Sequence, residues 1–311
     1  MGHLLQKKNG AVFYVDILGF AALTQNVINL DKEDYEAWEI PNHLPNDNQA
    51  FAATILVQFR EILLKHQADF MDVTIAQLSD GAFVWSENIR DVIIVACSLM
   101  KECVKKGILC RGGLSCGEII ETSENNNLGR LILGKAVSNA VKLEESGAKG
   151  MRIMINEEVP SALCDYDEEF YNRMYILFQP FENPLDYKVY DELKWYYIPK
   201  MYENIPNLGK VENKYIVEAT CERIKLAGHL RLHPRFSWNA KNKDGQTQLI
   251  SSIRFISANE NTIFNVNHFF NWSSLVDKRS DITFDKMEKR IDNESRQAIF
   301  RDGTIWFPEP E

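Results

Sequence analysis

The 311-residue chain has no run of eighteen apolar residues, no Cys-x-x-Cys pair, no His-Glu-x-x-His and no phosphate-loop Lys-Ser or Lys-Thr sequence. The first absence argues against a membrane-spanning helix. The opening "MGHLLQKKNG" turns polar too soon for a secretory signal and carries Gln6 where a myristoylation signal needs Ser or Thr. The six cysteines, at 97, 103, 110, 116, 164 and 221, are scattered and read as reduced core thiols of a cytoplasmic protein. Positive charge is in deficit: 35 Lys and Arg against 44 Asp and Glu give −9, which excludes a general nucleic-acid binder. No internal repeat and no low-complexity linker is present. His229 and His233 have zinc-ligand spacing, but no third ligand accompanies them in sequence.

What is present falls into two halves. "AVFYVDI" is a buried-strand run, and residues 49–67 are amphipathic enough for a helix. Residues 72–86 read as a hairpin around Ser79-Asp80-Gly81. Residues 90–107 form a helix with basic residues before a closing Gly107. Strands follow at 108–120 and 129–134, then a helix over 135–146 and a strand at "MRIMIN". This is an α+β plan, an antiparallel sheet with helices over one face. The expected division is a domain over 8–163 and a second, 164–311, whose fold the pattern does not specify and whose role is read as sensory or regulatory. In the second half an aromatic-rich run spans 166–206, followed by a helix at 214–228, a strand-like "TQLISSIRFIS" and a charged helix at 284–298.

The chemistry begins with Asp16, an acid at the end of an apolar strand, where a solvated turn does not explain it. A buried ion is costly unless something pairs with it. Asp80 at the hairpin tip converges on it if the strands are neighbours. Two such carboxylates provide hard oxygen ligands for divalent ions completed by substrate phosphates. Taken alone, Asp80 is also a good turn residue.

Four segments in order, "FYVDILGF", "LSDGAF", "RGGLSCGE" and "LGKAVSNAVKLEESG", resemble the class III nucleotidyl cyclase catalytic domain over residues 10–160. The resemblance implies two Mn²⁺ or Mg²⁺ ions per site, held by Asp16, Asp80 and the Ile17 carbonyl. It implies catalytic roles for Ser138 and Lys142, where the family has Asn and Arg. Phe20, Gln77, Lys135 and Arg130 are the candidate substrate contacts. It also implies a head-to-tail homodimer with composite sites.

The departures narrow the reading. The two purine-reading positions hold Ala76 and Leu131, which cannot make the polar contacts that select adenine or guanine. Lys142 keeps a charge but loses the planar fork of Arg. The combination resembles the pyrimidine cyclases of bacterial Pycsar anti-phage systems. That resemblance implies conversion of UTP or CTP to a cyclic monophosphate and pyrophosphate, and a separate effector that senses the product. Gln77, Ser79, Phe51 and Gln58 are candidates for reading the pyrimidine. The alternatives are a catalytically silent nucleotide- or partner-binding module and a relaxed purine cyclase.

Overall fold

The computed structural model describes residues 5–122, 130–182, 187, 189–197, 213–257, 270–276 and 284–301. The apolar run that opens the chain is strand β1 (Leu5–Ile17), longer at its N-terminus than the pattern predicts. It runs antiparallel to β3 (Gly81–Ser86) on one side and β4 (Cys110–Thr122) on the other. The edge strand β2 (Thr74–Leu78) completes the predicted hairpin with β3. Short β5 (Ile132–Leu133) pairs with β4, and β6 (Ile153–Ile155) lies on β4's free side. Two later strands, β7 (Phe178–Glu182) and β8 (Val189–Leu193), extend the same sheet, giving the order β2-β3-β1-β4-β6-β8-β7.

The α+β class holds, with two differences of detail. The β4–β6 pair is parallel, so the sheet is mixed. Helices also cover both faces. The short helices Phe20–Thr24 (α1) and Lys32–Ala37 (α2) follow β1, and Glu158–Tyr166 (α6) and Glu168–Met174 (α7) follow β6. Odd-numbered residues of β1 (Ala11, Phe13, Val15, Ile17) join the main core with the helices Asn48–Asp69 (α3) and Ile89–Lys106 (α4). Even-numbered Val12 faces the other way, against Ala136 and Ala140 of the helix Lys135–Glu144 (α5). Strand alternation places Tyr14 and Asp16 on that second face too. The close seat of α5 explains a glycine of "RGGLSCGE": a Cβ on Gly113 would fall 2.0 Å from the Ala140 carbonyl. These glycines serve close approach of backbone rather than a phosphate loop.

Local signals set the helix ends. Asp47 caps α3 by accepting from the Ala50 N–H, and Asn88 caps α4 by accepting from Asp91. Gly107 closes α4 in the left-handed region, φ 83°, after Lys105 and Lys106. In the second half, Asn213–Leu232 (α8) and Phe284–Arg301 are helical as expected. "TQLISSIRFIS" is a helix, Lys243–Ser257 (α9), and not a strand. Among its buried positions, Gln248, Ser252, Phe255 and Ile256 form a helical stripe whose first two members are polar. Those two hold the main fold: Gln248 accepts from the Gly150 N–H and Ser252 from the Met151 N–H.

Side chains from beyond residue 163, among them Leu226, Phe236, Trp238 and Phe255, belong to the same core cluster as Phe13 and Phe51. Part of the aromatic run, residues 198–206, lies outside the described residues; within it Trp195 and Tyr196 are buried. All six cysteines are unpaired, and no described helix is long and apolar enough to cross a membrane. His229 and His233 stack on each other. His229 Nε2 lies 3.5 Å from Glu288, and His233 Nδ1 accepts from the Arg235 N–H. They have no metal-binding third partner among the described residues.

Candidate active site

Asp16 is the penultimate residue of β1, opposite Gly81 on β3 and Arg111 on β4. The β2–β3 connection is a two-residue loop, Ser79-Asp80, because Leu78 pairs directly with Gly81. The left-handed residue of this loop is Ser79, φ 57°, and not the glycine the Asp-Gly pattern suggests. The Gln77 amide steadies the loop by donating to the Ser79 carbonyl at 2.9 Å. The Ile17 N–H donates to the Asp80 carbonyl at 3.2 Å, which ties the hairpin tip to the end of β1. Both aspartates are half-buried.

The charge around this edge is unbalanced. Burial, then the neighbouring Asp80, then Glu144, push the Asp16 carboxyl up to about 7, against smaller opposing effects of Arg111 and the Ile17 N–H. Tyr14, on the same face, is pushed up to about 12 by burial and by Asp16, Glu144, Asp80 and Glu145. The nearest cation is already committed. Arg111 donates through Nε and Nη2 to Glu144 at 2.9 and 2.7 Å, and through Nη1 to the Ala148 carbonyl at 2.8 Å.

Acid oxygens in surplus, without a free cation beside them among the described residues, suit a divalent metal. By that observation the residues present fit the two-carboxylate site the sequence implies. Among the described residues no three His, Cys, Asp or Glu side chains are gathered as a ready-made metal cage. The donor set is therefore two carboxylates, with backbone and ligand oxygens to complete it.

The other sequence candidates lie elsewhere. Ser138 and Lys142 are exposed on α5, two residues out of phase with its buried Ala136, Ala140 and Glu144. At 100° per residue this turns them away from the sheet and from Asp16 of the same chain. Lys135 is exposed and paired with Glu158 at 2.7 Å. Phe20 is buried in the core, which leaves its side chain unavailable as a substrate contact. Gln77 points to the α3 side of β2, opposite Ala76, and its Oε1 accepts from Arg60 at 3.4 Å. Phe51 is fully buried, while Ala76 packs beside Phe83 and Leu131 is 52% exposed.

Arg130 sits toward the far end of the same face. It donates to Thr74 Oγ1 at 3.3 Å and lies 3.7 Å from Glu121 Oε2. Thr74 is in line with Val12, four residues and about 13 Å along β1 from Asp16. Glu121 is only 2% exposed, paired with Lys8 at 2.6 Å and accepting from Trp85 Nε1 at 2.6 Å. A cavity of about 350 Å³ opens beside it, lined by Lys8, Thr74, Trp85, Ser86 and Tyr166 among others; neither aspartate lines it.

Sequence reasoning missed Tyr14 and Arg111 as members of the acidic edge. Tyr14 was detectable from strand alternation, two residues before Asp16. Arg111 was not, because its register against Asp16 is set by a pairing nearly a hundred residues apart.

No family model and no curated protein matches this sequence. Solved structures do show similarity. Adenylyl cyclase CyaB from P. aeruginosa is 16% identical over 61% of this chain and 95% of that one, with a TM-score of 0.39. The non-canonical dimeric guanylyl cyclase domain of the RhoGC fusion protein from Blastocladiella emersonii is 16% identical, over 61% and 97%, at 0.39. The guanylate cyclase domain of RhGC from Catenaria anguillulae, in complex with GTP, is 15% identical, over 60% and 96%, at 0.37. Likeness at this level carries no residue role, substrate or assembly to this chain.

Proposed function

We propose that this chain is a metal-dependent nucleotide cyclase acting on a pyrimidine ribonucleoside triphosphate, UTP or CTP. The observation that carries the reading is the junction of Asp16 with Asp80 at an acid-rich strand end whose nearest cation, Arg111, is held by Glu144. The sequence resemblance over residues 10–160 supplies the reaction class.

Two Mn²⁺ or Mg²⁺ ions bound there would lower the pKa of a ribose 3′-hydroxyl and offset charge on the triphosphate. The chain's own residues do the rest. Asp16, near the end of β1, and Asp80, in the β2–β3 loop, would hold the ions. The 3.2 Å backbone bond from the Ile17 N–H to the Asp80 carbonyl ties together the two chain segments that carry these aspartates. Glu144 keeps Arg111 from neutralising Asp16. Lys142 supplies positive charge toward the α-phosphate and Ser138 a hydroxyl toward the ribose. Because both face away from their own Asp16, this role requires a second copy of the chain, whose site they complete. The 3′-hydroxyl gives its proton to solvent, its oxygen attacks the α-phosphorus, the bond from the α-phosphorus to the bridging oxygen breaks, and pyrophosphate leaves with that oxygen.

Ala76 and Leu131, both without polar side-chain atoms, support a pyrimidine over a purine, with UTP preferred to CTP. The cyclic product is read as a second messenger for a separately encoded effector in anti-phage defence. One observation favours a silent binding module instead: Lys142 and Ser138 stand free on the surface, unbraced by described residues.

The deciding experiment incubates the chain with each ribonucleoside triphosphate and Mn²⁺ and identifies products by mass. Cyclic UMP or CMP is expected, falling about a thousandfold or more in Asp16→Ala and Asp80→Ala. Cyclic AMP or GMP would overturn the base assignment, and no product would favour the binding module.

A further inference from the structure

The second half of the chain reaches the acidic edge from behind. Residues 234–241, two short 3₁₀ turns after α8, lie across residues 19–39 as a strap. Its fastenings are all distant in sequence. Trp38 Nε1 donates to the Arg235 carbonyl at 3.1 Å, and Arg235 Nε donates to the Ala37 carbonyl at 2.9 Å. Ser237 Oγ donates to Asp34 Oδ1 at 2.6 Å, and Lys241 pairs with both Asp31 and Asp34. Asp34 itself is fully buried, so the strap supplies the partners its charge requires.

At the centre of the strap is Trp238, 1% exposed, packed edge-on against Phe51 with ring centroids 6.1 Å apart. Its other neighbour is the turn that ends β1. Gly19 is in the left-handed region, φ 85°, and a Cβ there would lie 3.5 Å from Trp238 Cζ3 and 3.9 Å from Asn239 Nδ2. The indole therefore closes the space on that side of the turn at ordinary contact distance. Gly19 is three residues from Asp16 and two from Ile17, and the Leu18 N–H is already fixed to the Leu109 carbonyl at 2.8 Å. The Gly19 carbonyl in turn accepts from the Leu23 N–H at 3.3 Å, and the side of the turn that these bonds leave open is the one the Trp238 indole covers. Among the described residues, Trp238 Nε1 and Asn239 Oδ1 are buried without a hydrogen-bond partner.

We infer that Trp238 is a positioning residue for the metal edge: from the second half of the chain it holds the Gly19 turn, and through it the Asp16–Ile17 strand end, in the geometry that takes a divalent cation. The inference rests on the reading of that edge as a metal site.

The test is Mn²⁺ binding to the full chain without nucleotide, read from the electron paramagnetic resonance signal of free Mn²⁺, so turnover does not enter. Trp238→Leu is expected to weaken binding about tenfold, as loss of a residue supporting metal ligands does, while Trp238→Phe, which keeps a ring over Gly19, stays within about twofold of wild type. Lys241→Met loosens the strap from its partly exposed end without emptying the core, and is expected to weaken binding about threefold. It reports even if Trp238→Leu does not fold. Wild-type affinity in Lys241→Met and in a folded Trp238→Leu overturns the inference. If wild type binds no more Mn²⁺ than Asp16→Ala, the metal reading itself fails and this inference with it. If wild type binds and only the strap variants match it, the metal reading stands and this inference alone falls.

Discussion

Two carboxylates on one face of the same sheet meet opposite fates. Glu121 is nearly sealed from solvent, yet Lys8, Trp85 and Arg130 surround it. Burial pushes its carboxyl up, but the Lys8 and Trp85 hydrogen bonds and the two positive charges outweigh that and hold it below the usual range. Asp16 is less buried but sits among Asp80 and Glu144, and is pushed up to about 7. The protein thus completes one site internally and leaves the other short of positive charge. A completed ion cluster supports the fold; an incomplete one is where a ligand is expected. The cavity of about 350 Å³ lies beside the completed cluster and is lined by neither Asp16 nor Asp80, so concavity alone would point away from the acidic edge.

The sharpest way to break the comparison is to remove each acid in turn. Glu121→Ala leaves the Trp85 N–H and Lys8 without their partner, and should lower stability in urea by about 3 kcal/mol. Asp16→Asn should do the reverse in metal-free protein at pH 8, raising stability by about 1–2 kcal/mol once solvent screening of a half-buried group is allowed for. Equal losses in the two variants would erase the distinction.

The pH dependence carries the same contrast with the signs reversed. The folded Asp16 carboxyl titrates near 7 and the unfolded one near its ordinary 3.8. Between those values the folded state holds the extra proton, so this group's contribution to stability falls as pH rises from about 4 to about 7. Glu121 is depressed in the folded state, so its contribution is present above the ordinary glutamate pKa and is lost as pH falls below it. Urea titrations of wild type and Asp16→Asn over pH 4–8 should therefore diverge most at the alkaline end. The smallest expected effect is at Arg130, which is partly exposed and 3.7 Å from Glu121. Arg130→Met should cost about 0.5 kcal/mol or less, and should leave Mn²⁺ binding unchanged.

Much of the acidic edge was legible in the sequence because it is local. An acid ending an apolar strand and an acid in a two-residue hairpin loop are both written in short windows. Helix α4 was legible for the same reason, with Lys105, Lys106 and Gly107 marking its end. The parallel β4–β6 pair was not, since it depends on a crossover through α5 that no short window records. Helix α9 was misread because its β-branched residues favour a strand, while half its buried stripe is Gln248 and Ser252, whose burial follows from partners at Gly150 and Met151. The orientation of Ser138 and Lys142 was half legible: their spacing puts them on one helical face, but which face meets the sheet is decided by Ala136, Ala140 and the gap at Gly113. The strap over Gly19 left no signal, because its contacts join residues about two hundred apart.

Calorimetric titration of Mn²⁺ into wild type and Asp16→Asn at pH 6 and pH 8 tests the central claim most directly. Binding should strengthen about tenfold from pH 6 to pH 8 in wild type, with a proton released at the lower pH, and be absent in Asp16→Asn. Equal, pH-independent binding by both proteins would contradict the account, because Asp16 would then hold no metal.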